Sequence, residues 1–316
     1  MKNLTKRLLS LLATLAIAGT AAAQLNVVAT IPDLADIARE IGGERVDVKT
    51  IARGTENVHS VSIKPSHLVA INRADVLIEV GLSLEHAYVP GLLEKGRNKR
   101  IQPGQPGFIN CSDGWSAIDV PDEISRGEAA DIHPLGNPHM NLDPRGGRHI
   151  AERIRDGLSR VDPKHADEFT RNFDAYAQKL AKAEKRWAEL GAKLKGRKVA
   201  VYHQDFTYFA RYYGMNIVAR VEPKPGVPPT PRDLANVVDV LRREGVKVVL
   251  TAKWSNNKDV RFVAEKAGAQ VLEIPIMVGG VSGADTWIGM MDELHESLVA
   301  ALGLDGPERD KASDEG

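Results

Sequence analysis

The stretch from Pro163 to Lys195, PKHADEFTRNFDAYAQKLAKAEKRWAELGAKLK, decides the fold. It has no Pro after its first residue and no Gly before Gly191, and it is rich in Ala, Lys, Glu, Arg and Leu. Asp162 is a candidate N-cap, and Pro163 suits the first helical position. Apolar residues recur at spacings of three and four: Phe169, Phe173, Tyr176, Leu180, Ala183, Trp187 and Leu190. The stretch therefore predicts one long helix whose apolar stripe packs along both flanking regions.

Short apolar runs alternate with helix-like stretches on both sides of this helix. Strands are expected over 25–30, 46–51, 76–80, 198–202, 217–221, 246–251 and 270–274, with helices over 34–41, 65–72, 231–244 and 258–267. Such alternation indicates βαβ units and parallel sheets, and hence an α/β fold with two similar halves. We expect an N-terminal lobe over 24–160, a linking helix over 161–195 and a C-terminal lobe over 196–304. The irregular stretch 103–138 is expected to be an extended loop.

The two ends of the chain are expected to lie outside this fold. Lys2, Lys6 and Arg7 precede an apolar run over 8–18 and small residues over 21–23. This pattern predicts a secretory signal peptide over 1–23, cleaved near Ala23, and a periplasmic protein. No Cys lies near the expected cleavage point, so we expect no lipid anchor. The charged tail 305–316 lacks an apolar pattern and is expected to be disordered.

Charge and motif content narrow the class of protein. The chain has 42 basic and 42 acidic residues, and three of the basic ones lie in the leader, so the mature chain is slightly acidic. Nucleic acid is therefore not an expected partner. The single Cys111 allows no intrachain disulfide. The sequence lacks four common catalytic motifs: Walker A, Gly-x-Gly-x-x-Gly, His-Glu-x-x-His and Gly-x-Ser-x-Gly. We therefore expect no enzyme of those kinds. We also expect a monomer.

Four residues at strand ends or in loops are candidates for one shared site: His59, His139, His203 and Asp285. In α/β folds, ligands bind at such positions. Each residue also has a plain structural role open to it: the histidines as surface or capping groups, Asp285 as the N-cap of the helix that follows. They lie 64 to 82 residues apart, which is no compact metal motif. Spacing alone leaves the choice open.

Five segments occur in the order that one known family shows. They are His59 followed by Pro65-Ser66, Gly81-Leu82-Ser83-Leu84-Glu85, Asn137-Pro138-His139 with Leu142-Asp143-Pro144, Tyr202-His203 with Phe206, and Gly283-Ala284-Asp285-Thr286-Trp287. Together they resemble the metal-specific solute-binding proteins of ABC importers, the zinc/manganese class called cluster A-I, in its zinc type. Two positions depart from the family pattern, because Asn137 replaces Asp and Asn141 replaces Trp.

This resemblance implies two α/β lobes, each with a parallel sheet flanked by helices, joined by a single long backbone helix. It implies a metal between the lobes, held by His59 and His139 of the first and His203 and Asp285 of the second. It also implies delivery to an ABC permease with its cytoplasmic ATPase, and a periplasmic metallochaperone is a further candidate partner.

Three imidazoles and a carboxylate suit tetrahedral Zn²⁺. Manganese-binding relatives usually carry a carboxylate in place of the third His, so His203 favours Zn²⁺ over Mn²⁺. His86 is a candidate partner for the second ring nitrogen of a ligand, and His133 a candidate auxiliary ligand. His149, His165 and His295 are expected on the surface.

Other functions fit the same residues. An exported zinc metalloenzyme, a hydrolase, would use a similar set, but catalytic zinc usually keeps an open position that the fourth protein ligand would close here. A manganese-binding or adhesin-type relative shares the same binding chemistry.

Overall fold

Two four-stranded parallel sheets form the framework of the protein in this computed structural model, which describes residues 24–121, 133–255 and 257–304. The sheet of the first lobe has the order β2-β1-β3-β4 and that of the second lobe β6-β5-β7-β8. The strands are β1 Leu25–Ala29, β2 Val46–Thr50, β3 Val76–Glu79, β4 Phe108–Asn110, β5 Lys198–Val201, β6 Asn216–Arg220, β7 Val248–Thr251 and β8 Gln270–Glu273. This confirms the α/β class and the two-lobe architecture.

Helices cover both sheets. They are α1 Pro32–Gly42, α2 Pro65–Arg73, α3 Val89–Gly96, α4 Gly146–Val161, α5 Ala166–Ala192, α6 Thr207–Tyr213, α7 Pro231–Glu244, α8 Asn257–Ala267 and α9 Trp287–Ala301. Their ends follow local chemistry, as in α7, where Thr230 and Asp233 form a capping box and Gly245 ends the helix in the left-handed conformation. Within the described ranges, no helix is long and apolar enough to cross a membrane.

In each sheet the strand order reverses at the first strand. The second strand in chain order pairs with one side of it and the third strand with the other. In the second lobe β5 pairs with both β6 and β7, all parallel, so the chain leaves β5 at the point where the strand order reverses. Ligands of open α/β sheets bind beside the carboxyl ends of strands at this point. The loop after Val201 therefore lies where a binding site is expected.

The long helix α5 joins the lobes as predicted. A short 3₁₀ turn, Pro163–His165, precedes it, and Asp162 bonds the ring of His165 instead of capping the backbone. The buried side of α5 carries the whole predicted stripe: Phe169, Phe173, Tyr176, Leu180, Ala183, Trp187 and Leu190. It packs against α1 and α4 on the first lobe and against α9 of the C-terminal segment. The exact division into 24–160, 161–195 and 196–304 stays a prediction.

Two expectations are wrong. The stretch 103–138 is not wholly a loop, because β4 lies within it and pairs with β3, with Leu77 opposite Phe108. His295 is not on the surface but fully buried in α9, where its Nδ1 lies 2.6 Å from the Met291 carbonyl and its Nε2 2.6 Å from the Tyr213 hydroxyl. The expected signal peptide 1–23 and tail 305–316 lie outside the described residues, as does 122–132.

Trp187 is the main contact between α5 and α9. Its ring stacks on His295 with centroids 5.5 Å apart, and meets Trp287 edge-on at 5.8 Å. Its indole N–H donates to Asp292 over 2.7 Å. This fully buried side chain thus fastens the C-terminal helix to the helix that joins the lobes.

Trp187→Ala is expected to lower the free energy of unfolding by about 3–5 kcal/mol, because it removes the ring and leaves a cavity. Lys185→Ala, an exposed change on the same helix, should stay within about 0.5 kcal/mol of the wild type. Equilibrium urea unfolding of the three proteins measures both values. A loss below about 1 kcal/mol for Trp187→Ala would contradict this role.

Candidate metal centre

Two first-lobe histidines are presented by the same local device. His59 lies in the 3₁₀ turn Val58–Ser60, and the Asn57 side-chain oxygen accepts from its backbone N–H over 2.9 Å. His139 begins the turn Met140–Leu142, and the Asn137 side-chain oxygen accepts from its backbone N–H over 3.0 Å. Asn is suited to such Asx turns, which fix the backbone two residues on. The Asn-x-His spacing therefore orients both imidazoles, and Asn137 fills this role where the family pattern has Asp.

The second lobe supplies its groups from the loop after β5. His203 lies two residues after the end of β5 at Val201, and Asp205 lies in the next turn, Gln204–Phe206. His203 Nδ1 lies 2.5 Å from Glu222 Oε2, and the other Glu222 oxygen accepts from the Gly226 N–H over 2.9 Å. A carboxylate at Nδ1 fixes the ring and leaves Nε2 to face a metal. Glu222 therefore orients His203.

His59, His139, His203 and Asp205 converge across the lobes. The three imidazole centroids form a nearly equilateral triangle with sides of 5.2, 5.2 and 5.4 Å. One ligand atom from each of the four residues lies within 4.8 Å of the others. Asp205 Oδ1 lies 3.4 Å from His139 Nε2 and 4.0 Å from His203 Nε2. Ligands about 2.0–2.1 Å from a tetrahedral zinc lie about 3.3 Å apart, so a small contraction of this group would suit such an ion.

The structure does not bring Asp285 into this group. Asp285 is exposed, just ahead of α9, where the Thr286 hydroxyl caps the helix by accepting from the Gly289 N–H over 3.0 Å. The Trp287 N–H donates instead to Asp36 of α1 over 2.7 Å, which fixes the start of the helix against the first lobe. Asp205 stands as the carboxylate in its place. The structure thus brings the three predicted histidines together with Asp205 and leaves Asp285 outside the group.

The four groups are almost wholly buried, with exposed fractions of 1–3%. Burial is the largest cause that lowers the pKa values of His59 and His139 well below the usual value, and neighbouring imidazoles add to it. Burial also raises the pKa of Asp205 to about 6, and nearby His203 opposes this rise. Neutral imidazoles are ready to donate lone pairs to a metal at neutral pH.

Hydrogen bonding leaves several of these atoms unsatisfied. Among the residues that the structure describes, neither ring nitrogen of His59 has a hydrogen-bond partner, and the same holds for His139 Nε2 and Asp205 Oδ1. Buried polar atoms without partners cost free energy, and a bound metal ion would satisfy these atoms. The arrangement has the donors and the burial of a closed metal site.

His133 and His86 lie outside the group of four. His133 is buried, with its ring centroid 5.0 Å from that of His59 and 6.3 Å from that of His139. Within the described part of the chain, neither of its ring nitrogens has a partner in hydrogen-bond geometry. Burial lowers the pKa of His133 to about 4, and the nearby Ser83 carbonyl opposes that fall. His86 is exposed, and its ring lies 6.1 Å from that of His133.

Asp205 and Glu222 are the site residues that sequence reasoning missed. Asp205 had a signal, since it lies two residues after His203 in the loop that leaves the switch-point strand. Glu222 had a weaker one, because it follows β6, the neighbour of β5 in the sheet. Recognising either requires the strand order of the second lobe.

Comparisons with known proteins agree with this picture. A model of the family described as zinc-uptake complex component A, periplasmic, matches residues 27–301. The iron-binding protein YfeA of Yersinia pestis is 25% identical over 93% of each chain, and the manganese-binding lipoprotein MntA of Halalkalibacterium halodurans is 27% identical over 88% of each.

A crystal structure of ZnuA superposes with a TM-score of 0.72 at 22% identity, covering 88% of this chain and 99% of that one. This likeness confirms the fold, and the family match covers both lobes and all four converging residues. The chain therefore belongs to the family of the periplasmic component A of the zinc-uptake complex.

Proposed function

We propose that this protein is the substrate-binding component of an ABC importer and that it captures Zn²⁺ between its lobes. In this proposal a leader directs the chain to the periplasm, and the loaded protein delivers its ion to a permease served by a cytoplasmic ATPase. A periplasmic metallochaperone is a candidate donor of the ion, and the binding protein acts as a monomer. The observation that carries the proposal is the convergence of His59, His139, His203 and Asp205.

The donor set supports zinc as the cargo. Three neutral nitrogens and one carboxylate oxygen in a compact buried group match the four-coordinate preference of Zn²⁺. Hard ions such as Mn²⁺ favour more oxygen ligands, and His203 supplies nitrogen instead. The similar proteins named above are described as iron- and manganese-binding, so family membership by itself does not select the ion. Zinc rests on the ligand types in this chain.

A non-enzymatic role fits the site better than hydrolysis. Catalytic zinc typically keeps three protein ligands and one position for water. Here Asp205 adds a fourth protein group at 1% exposure, and its Oδ1 faces the histidines. A site closed in this way suits tight capture of an ion.

His133 is proposed as an auxiliary imidazole for the same ion. It is buried, and its ring centroid lies 5.0 Å from that of His59. His86, at the surface beyond it, is proposed to support it from the solvent side. Both remain secondary to the group of four.

Asp205→Asn is expected to weaken zinc binding by more than about 100-fold, because loss of even an outer-shell partner costs about 10- to 100-fold. Asp285→Asn is its matched control, the same change at an exposed residue, and should keep the wild-type affinity. Titration of metal-free protein with Zn²⁺ against a competing chelator measures both. Equal affinity for Asp205→Asn and wild type would reject Asp205 as a ligand, and the absence of one bound equivalent in the wild type would reject the proposed function.

Glu222→Gln is expected to weaken zinc binding by about 10- to 100-fold, since an amide orients His203 less firmly and lowers its basicity. Glu244→Gln, which alters surface ion pairs with Lys198 and Arg243, should leave the affinity unchanged. The same competition titration applies. If both variants bind as the wild type does, Glu222 has no part in tuning the site.

A further inference from the structure

A closed ring of buried hydrogen bonds joins the turn that carries His139 to the second lobe. The Asn141 side-chain N–H groups donate to Asp33 Oδ1 over 3.0 Å and to the Ile276 carbonyl over 2.9 Å. Asp33 Oδ2 accepts from the Val278 N–H over 3.0 Å and completes the ring. Asp33 belongs to α1 of the first lobe, whereas Ile276 and Val278 follow β8 of the second.

Asn141 holds both ends of the segment between β8 and α9. Its side chain binds Ile276 at the start, and its backbone carbonyl accepts from the Trp287 indole N–H over 3.0 Å at the end. Between these points the Gly279 N–H donates to the Ala284 carbonyl over 2.6 Å. The loop 279–286, most of it exposed, is thus closed on itself. Asn141 holds it at both ends, Asp33 adds a bond at its start and Asp36 one at its end.

The other first-lobe ligand loop touches the same segment. A Cβ on Gly54, five residues before His59, would lie 2.1 Å from the Val278 carbonyl and 2.6 Å from the Gly279 carbonyl carbon. Only glycine permits this approach of the two backbones. The two first-lobe loops that carry His59 and His139 therefore both contact residues 276–280.

Breaking this ring of hydrogen bonds would cost free energy. Asp33 is fully buried, and burial raises the pKa of its carboxyl to about 7, while the donors Asn141 and Val278 oppose that rise. Loss of a donor would leave a buried polar atom unpaired, which costs free energy. A partly formed ring is therefore unfavourable, and the segment has a strong preference for one position when the His139 turn is in place.

We propose that Asn141 and Asp33 are positioning residues that couple metal loading at His139 to the order of the exposed loop 279–286. The inference rests on the proposed function, because it requires the ion to fix the His139 turn. When the ion binds His139, the turn Met140–Leu142 is held, Asn141 keeps both its bonds, and the loop is ordered. Without the ion the turn moves more freely and the loop is released with it. The order of this exposed loop therefore differs between the metal-loaded and the metal-free protein.

Hydrogen exchange with and without Zn²⁺ tests this coupling. In the wild type, Zn²⁺ is expected to slow exchange across 276–286, and at the Val278 amide above all, by at least about tenfold. Asn141→Leu should still bind one equivalent of Zn²⁺ but reduce this slowing to within about twofold. Asn172→Leu is the matched control, since Asn172 also donates to a backbone carbonyl, that of Ile41, away from the ring. It should keep the full effect of zinc.

The measured quantity is the ratio of exchange rates with and without Zn²⁺ in the same protein. A general loss of stability changes both rates and does not produce the expected result. Asp33→Asn keeps one oxygen acceptor and is the milder second variant, decisive if Asn141→Leu does not fold. Full zinc-dependent slowing in either folded variant overturns the coupling, as does a wild-type segment indifferent to zinc at one bound equivalent. Failure of the wild type to bind Zn²⁺ in the same sample instead rejects the proposed function, and the coupling with it.

Discussion

The distance between the two lobes is the constraint on which the site depends, and α5 sets it. Four ligand atoms from opposite lobes must meet within a few ångströms, which a flexible connection would not ensure. Helix α5 buries one continuous stripe against α1, α4 and α9. Rigid-body movement between the lobes would break these contacts. This packing therefore keeps the proposed ligand pairs of the two lobes close to each other.

This pre-organisation carries a cost in the metal-free protein. Desolvation of Asp205 raises its pKa to about 6, and the buried nitrogens of His59 find no hydrogen-bond partner among the described residues. Such unsatisfied groups destabilise the folded chain. An ion that accepts their lone pairs removes the cost, so part of the binding free energy comes from relief of this burial. Asn57 and Asn137 constrain the backbone of His59 and His139, and Glu222 orients the imidazole of His203.

Much of this could be predicted from the sequence because the signals are local. The stripe of α5 and the start of α7 at Pro231 follow from periodicity and capping. The edge strand β4 could not, since three residues in a Gly- and Pro-rich stretch become a strand only by pairing with β3. His295 was missed because its polar ring is satisfied by the Met291 carbonyl and the Tyr213 hydroxyl, a non-local fit. The sequence drew attention to the three histidines that converge, whereas placing Asp205 rather than Asp285 beside them required knowing which loop faces the cleft.

The two departures from the family pattern have different consequences. Asn137 keeps the side-chain oxygen that the Asx turn needs, and its amide donates to the Gln204 carbonyl of the opposite lobe, next to Asp205. Asn141 replaces a large indole with a small amide whose two donors must both be satisfied when buried. Asp33 and the Ile276 carbonyl meet that demand from opposite lobes. A position that packs by bulk in the family pattern thus becomes, in this chain, a polar connection from the ligand turn to the far lobe.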